Sequence, residues 1–150
     1  MNDLFKSIDW NLELLMCGRV LFAVFLGALV GFEREYHHKD AGIRTFAAVS
    51  LGACLFALIS SHIPGSDPSR MASNIVVGIG FLGGGLILHK VDRTSGLTTA
   101  AGLWCIAAIG TGVGYGMYVL PLFTALLMLG LLTLHHFFGN DGNDGDKQKG

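Results

Sequence analysis

An all-α polytopic membrane bundle of five transmembrane helices is the fold class this sequence predicts, and three observations predict it. Of the 150 residues, 51% are hydrophobic and only 14% are charged, too apolar a balance for a soluble domain of this size. Apolar runs of about twenty residues recur along the chain, the length needed to cross a hydrocarbon core. Glycine fills 22 positions, and Gly78, Gly80, Gly83, Gly84 and Gly85 fall within one uncharged run. Glycine weakens a helix in water, but in lipid it lets one backbone approach another.

The first span reads as Leu12–Phe32. The segment before it, MNDLFKSIDWN, holds one Lys and two Asp. It lacks a basic n-region and a small-x-small cleavage site, so the span reads as a retained helix and not as a secretory signal. Gly27 and Gly31 form a GxxxG pair suited to close helix packing. The second span reads as Ile43–Ser61 and the third as Met71–His89. Asp67 before Pro68 marks the start of the third helix, as N-cap and first helical position. The fourth, Leu97–Gly114, is diluted by Thr, Ala and Gly and is expected to be shielded from lipid by its neighbours. The fifth reads as Met117–Phe138, with Pro121 near its first turn, where a helix accepts proline. Gly110, Gly112, Gly114 and Gly116 alternate at the end of the fourth span and are expected to make a tight turn into the fifth.

No long loop separates the spans, so residues 1–138 read as one transmembrane domain. Residues 139–150 read as a disordered polar cytoplasmic tail. The tail fails as an EF-hand loop, since Gly145 stands at a ligand position and no Glu closes it. Seven Lys and Arg (Arg34, Lys39, Arg44, Lys90, Arg93, Lys147, Lys149) fall on one side of the membrane and two, Lys6 and Arg70, on the other. That bias predicts an outer N-terminus and a cytoplasmic C-terminus. A net charge of −1 gives no basic surface for a nucleic acid. Cys17, Cys54 and Cys105 lie far apart in apolar segments and read as buried small hydrophobes, with neither zinc nor disulfide spacing.

Several polar groups stand out against this background. Glu33, Arg34 and Glu35 leave the first span where Arg44 and Thr45 enter the second. Glu33 could pair with Arg44, or Glu35 with Arg34 of a neighbouring chain, as a network that fixes helix depth; the alternative is a cation site on the two carboxylates. Arg19 lies inside the first span, fourteen residues from Glu33, or ~21 Å along a helix. It either snorkels outward or pairs with Asp67, which is also a weak metal candidate beside Glu33 and Glu35. Asn74 is a polar side chain in lipid suited to an interhelical hydrogen bond. Thr98 and Thr99 open the fourth span as cap and interhelical donors, or as an anion-facing helix start. Trp104, midway along that span, is expected to fill volume beside a glycine face. Gly78–Gly83 formally matches GxGxxG, but no strand precedes it and the dinucleotide reading fails. With no nucleophile–base pair in view, neither an enzyme nor a cofactor is expected.

The segments CGRVLFAVFLGALVGFERE, KDAGIRTFAAVSLGACLF, DPSRMASNIVVGIGFLGGGLIL and GLTTAAGLWCIAAIGTGVG, in that order over roughly residues 17–114, resemble the membrane domain of the MgtC/SapB family. The likeness rests on Arg19, Glu33, Arg34, Glu35, Gly42, Arg44, Thr45, Arg70, Gly78, Gly80, Gly83, Gly85, Gly96, Thr99 and Trp104. MgtC-type sequences often have Asn where Thr98 stands, and the ERE segment looks more like the SapB branch. The best-known MgtC-type members add a cytoplasmic ACT-like domain, where this chain continues as a short polar tail. The resemblance implies a five-helix protein of the bacterial inner membrane linked to growth under magnesium limitation and, in some pathogens, to survival inside host cells. The sequence thus predicts a homodimer or small oligomer in the lipid bilayer, packed through Gly27, Gly31, Gly78, Gly80, Gly83 and Gly85. Its partner would be another membrane complex, with direct cation transport as the alternative.

Overall fold

Five helices run α1 Trp10–Tyr36, α2 Ile43–His62, α3 Pro68–Leu88, α4 Ser95–Gly114 and α5 Val119–Phe138 in a computed structural model that describes residues 9–88 and 95–138. The first four are long and apolar enough to cross a membrane, and α5 carries a further apolar stretch over Val119–Thr133. Among the described residues there is no strand. The proposed tail, and the basic residues Lys90, Arg93, Lys147 and Lys149, lie outside the described residues.

Each helix end has an identifiable physical cause. The Asp9 carboxylate accepts hydrogen bonds from the Asn11 and Leu12 N–H groups at 3.1 and 3.3 Å and starts α1. At the other end His38 takes φ +51°, so that Lys39 N–H reaches Arg34 O at 2.9 Å and His38 N–H reaches Glu35 O at 3.0 Å. This is a Schellman closure with histidine in the place usually taken by glycine. The α4–α5 turn closes in the same way around Gly116, at φ +84°, with Met117 N–H on Gly112 O and Gly116 N–H on Val113 O. Of the four alternating glycines only Gly116 adopts the left-handed turn; Gly110, Gly112 and Gly114 belong to α4.

The core is built where three backbones come together. A Cβ on Gly27 would lie 2.7 Å from Phe46 O and 2.9 Å from Ser50 Cβ, and one on Gly31 would lie 2.7 Å from Ile43 Cα. These contacts press α1 directly on α2, as the GxxxG pair predicts. The opposite side of α2 meets α4 just as closely. A Cβ on Gly110 would run into the Ser50 backbone, and one on Gly114 would lie 2.5 Å from Cys54 O. Ser50 is therefore clamped between Gly27 and Gly110, and its hydroxyl donates to Ala23 O at 2.7 Å. Around this clamp Leu26, Val30, Phe46, Ile106, Ile109 and Val113 are fully buried, and Ala125 and Met128 of α5 close one side.

α4 is the shielded centre that its diluted composition predicts. Its apolar window is 56% buried, the largest share of the four spans. Cys54 is buried and Cys105 half-buried, but Cys17 is exposed on α1, contrary to its reading as a core hydrophobe; it lines an open groove with Leu55, Leu58 and Ile59 of α2.

α3 departs from expectation. It leans on α4 through Gly83, whose added Cβ would sit 3.5 Å from Ala100 Cβ, and through the small cluster of Ile79 with Ala53 and Ala107. Among the described residues α3 touches neither α1 nor α5. Gly78, Gly80, Gly84 and Gly85 meet nothing within 4 Å. The expected close contact is thus made within the chain at Gly27, Gly31 and Gly83, and is not made at Gly78, Gly80 and Gly85. The reason is geometric: Gly83 points at α4, Gly78 and Gly85 lie about 140–160° round the helix from it, and Gly80 about 60° to one side, where nothing comes within 4 Å.

Two substitutions separate these environments. Gly110→Ala is expected to lower stability in detergent by about 2 kcal/mol or more, because the methyl group meets backbone that cannot rotate away. Gly80→Ala is expected to leave the thermal midpoint unchanged. Circular-dichroism melts of the two variants beside the parent provide the comparison.

Candidate functional site

The polar groups gather at the two ends of the bundle. At the α1–α2 end Arg34 is buried, and its guanidinium grips the neighbouring Glu33 carboxylate with two hydrogen bonds of 2.5 and 2.8 Å. Such a forked contact compensates both charges where little water reaches them. His37 Nδ1 lies 2.8 Å from Glu33 O and 3.2 Å from the Glu33 carboxylate. Glu35 turns the other way and accepts the Ile43 N–H at 2.9 Å. It caps α2 from the preceding helix, because the N-cap residue Gly42 has no side chain to do so. A Cβ on Gly42 would lie 2.5 Å from the Glu35 carboxylate, so a side chain there would displace the Glu35 cap.

These contacts correct one pairing inferred from sequence. Glu33 pairs with Arg34 of its own chain and not with Arg44, while Glu35 holds the Ile43 backbone N–H. The turn is too short to bring Arg44 back over the end of α1. The Arg44 and Thr45 side chains are exposed and have no hydrogen-bond partner among the described residues.

At the α2–α3 end Arg19 caps α4. Its Nε donates to the Tyr118 hydroxyl at 3.1 Å and its Nη1 to Gly114 O at 3.2 Å, with Gly116 directly beneath the guanidinium. A cation at the carbonyl end of a helix answers both its unpaired acceptors and its dipole. Arg19 therefore does not pair with Asp67; it sits partly exposed at the end of the bundle. Asp67 is occupied as the N-cap of α3, accepting from the Ser69 N–H at 2.9 Å and the Ser69 hydroxyl at 2.7 Å. These bonds from Ser69 hold its carboxyl below the usual carboxylate range. The Tyr115 hydroxyl donates to Pro68 O at 2.6 Å and ties the end of α4 to the start of α3.

Glu33 and Glu35 point to different partners, and Asp67 stands at the far end of the bundle. Among the described residues no group of three or more His, Cys, Asp or Glu could hold a metal ion. Between the two ends, Thr99 is fully buried with no partner for its hydroxyl among the described residues, and Thr98 is exposed. Trp104 is half exposed. It lines an apolar groove of about 360 Å³ between α3, α4 and α5, with Thr111 and Pro121, and so lies away from the glycines of α3. Arg70 and Asn74 are exposed on α3. The partners that sequence reasoning missed are Tyr118, Tyr115 and Ser50. A signal existed for one related contact: Gly110 and Gly114 repeat the four-residue spacing of Gly27 and Gly31.

A family model described as the MgtC family matches residues 20–140. This chain belongs to the MgtC family. Protein MgtC of Brucella abortus (strain 2308) is 49% identical over 96 residues, covering 63% of this chain and 40% of the relative. Protein MgtC of Salmonella typhimurium (strain 14028s / SGSC 2262) is 44% identical over 110 residues, 73% of this chain and 48% of the relative. YhiD of Escherichia coli (strain K12), whose name proposes a magnesium transporter, is 39% identical over 127 residues, 78% of this chain and 58% of the relative. The chain spans about half the length of the curated relatives it matches. No solved structure matches it. For this MgtC-family chain the matched region runs from α1 to α5, so it includes both the glycine clamp and the Glu33–Arg34 pair.

Arg19→Met is expected to destabilise the protein by about 1.5–3 kcal/mol through loss of charged hydrogen bonds, and Tyr118→Phe by less; thermal melts in detergent measure both. Asp67→Ala is expected to lower the melting midpoint at pH 7. Because its folded pKa is depressed, the cap contributes above the ordinary carboxylate pKa and is lost as pH falls through the folded value. The midpoints of parent and variant should therefore converge on acidification.

Proposed function

We propose that this protein is a non-enzymatic, multi-pass protein of the bacterial inner membrane that serves magnesium or cation homeostasis through helix contacts with another membrane complex. Its N-terminus faces outward, in keeping with the seven-to-two distribution of Lys and Arg. The name of its relative YhiD, which proposes a magnesium transporter, supports the link to magnesium. The observation that carries the contact mechanism is the commitment of the charged groups within the fold. Glu33 is closed by Arg34, Glu35 by the α2 backbone and Asp67 by Ser69. The middle of the bundle is filled by Leu26, Phe46, Ile106 and Ile109, and its grooves are apolar. A path for a hydrated divalent cation needs oxygen ligands or water along the bilayer.

The competing reading, a direct magnesium pathway, has the name of YhiD in its favour. Liposomes loaded with a magnesium-sensitive dye and bearing the purified protein separate the two. The expected outcome is no protein-dependent Mg²⁺ entry. Saturable entry that Glu33→Gln or Asp67→Asn abolishes would establish transport and remove the contact reading.

A further inference from the structure

α3 has the composition of an inner helix and the position of an outer one. α3 and α4 are the least apolar of the four spans, and equally so. α4 accounts for its composition by being 56% buried; α3 is only 6% buried. The glycine-bearing surface of a helix gains little from acyl chains, and close contact with another helix is its natural cover. Within α3 the exposed residues, among them Val77, Gly80, Phe81 and Leu82, run most of the way round the helix, and one strip carries the amide and two of the glycines. At ~100° per residue, Met71, Asn74, Gly78 and Gly85 lie within about 60° of arc. Asn74 stands about 9 Å in from the start of the helix, inside the hydrocarbon depth. It is exposed, and its amide has no partner among the described residues. An amide left unpaired there costs free energy that an interhelical hydrogen bond recovers. Beside it, Met71, Asn74 and Gly78 form one wall of an apolar groove of about 550 Å³, and Gly52 and Phe56 of α2 form the other. Gly52 and Gly78 meet nothing within 4 Å.

We propose that this face is where two copies of the chain meet, with α3 of each copy seated in the α2–α3 groove of the other and the two Asn74 amides bonded across the two-fold axis. Two features select a second copy as the occupant. A carboxamide carries both donor and acceptor, so two identical Asn side chains satisfy one another across a two-fold. The head of the same face bears opposite exposed charges one turn apart, Asp67 and Arg70, and the Arg70 guanidinium has no partner among the described residues. A two-fold axis sets each Arg70 against the partner's Asp67, a complementarity that a bilayer of acyl chains does not offer. The proposal deepens the reading that the protein works through helix contacts, and rests on it.

The test uses the full chain with Cys17→Ala and Cys105→Ala, leaving the buried Cys54 in place. Gly78→Cys, Gly85→Cys and Gly80→Cys are made singly. All three glycines have open space for a side chain, so each variant tolerates the change, and Gly80 points about 140–160° away from the other two. Each is oxidised with copper phenanthroline in native membranes and in liposomes of pure protein. Disulfide-linked dimers at positions 78 and 85 but not 80, in both settings, are expected. Adding Asn74→Ala should weaken dimerisation about tenfold in the Gly85→Cys protein, with helix content unchanged. Equal yield at all three positions, or no dimer, overturns the proposal. Capture at 78 and 85 of a different protein, in native membranes only, also overturns the second copy as occupant but leaves the helix-contact reading standing. Quenching of probes at positions 78 and 85 by lipid-borne nitroxides, with no capture of any protein, overturns both.

Discussion

Everything in this bundle is referenced to one crossing point, where Ser50 of α2 lies between Gly27 of α1 and Gly110 of α4. The backbones approach until an added methyl group would collide with carbonyl oxygens. In lipid the hydrophobic effect does not hold helices together, so packing and interhelical hydrogen bonds must. The clamp supplies both, because the Ser50 hydroxyl also reaches Ala23 O. Gly31 and Gly114 extend the same seams toward the two ends. Once α1, α2 and α4 are fixed, the ends follow: α1 and α2 are close enough for Glu35 to cap Ile43, and α1 and α4 for Arg19 to cap Gly114.

The charged residues accordingly serve helix ends. Arg19 and Asp67 each complete a helix terminus, Glu35 completes another from a neighbouring element, and Arg34 neutralises Glu33 beside them. A chain whose carboxylates are so engaged keeps few groups for binding a cation and leaves its surfaces apolar and shallow. The chain shares this membership of the MgtC family with relatives one of which, YhiD of Escherichia coli, is named for a proposed magnesium transporter.

α3 is the element in which local composition and position disagree. A sequence can specify that a helix is rich in glycine; it does not say which glycines will find a backbone opposite them. Gly83 finds Ala100, while Gly78, Gly80 and Gly85 find nothing inside the chain. Packing of a single chain thus uses one of these four glycines and leaves the others, with Asn74, for whatever covers the helix from outside.

Much of the fold was legible from local signals. The five spans, the GxxxG contact of α1, the Asp67 cap and the shielding of α4 all follow from span length, glycine spacing and the chemistry of helix starts, which depend on neighbours in sequence. The partners of the charges were not legible in this way. Arg19 meets Tyr118 across 99 positions of sequence and Gly114 across 95, and Glu35 reaches Ile43 where Gly31 lets the backbones close. Pattern alone offered Asp67 and Arg44 as partners because they carry the opposite charge near the right membrane face. The tertiary structure decided otherwise, because a charged group bonds to the donor or acceptor that packing brings within hydrogen-bond reach, and in this protein packing is set by where a backbone has no side chain to hold its neighbour away.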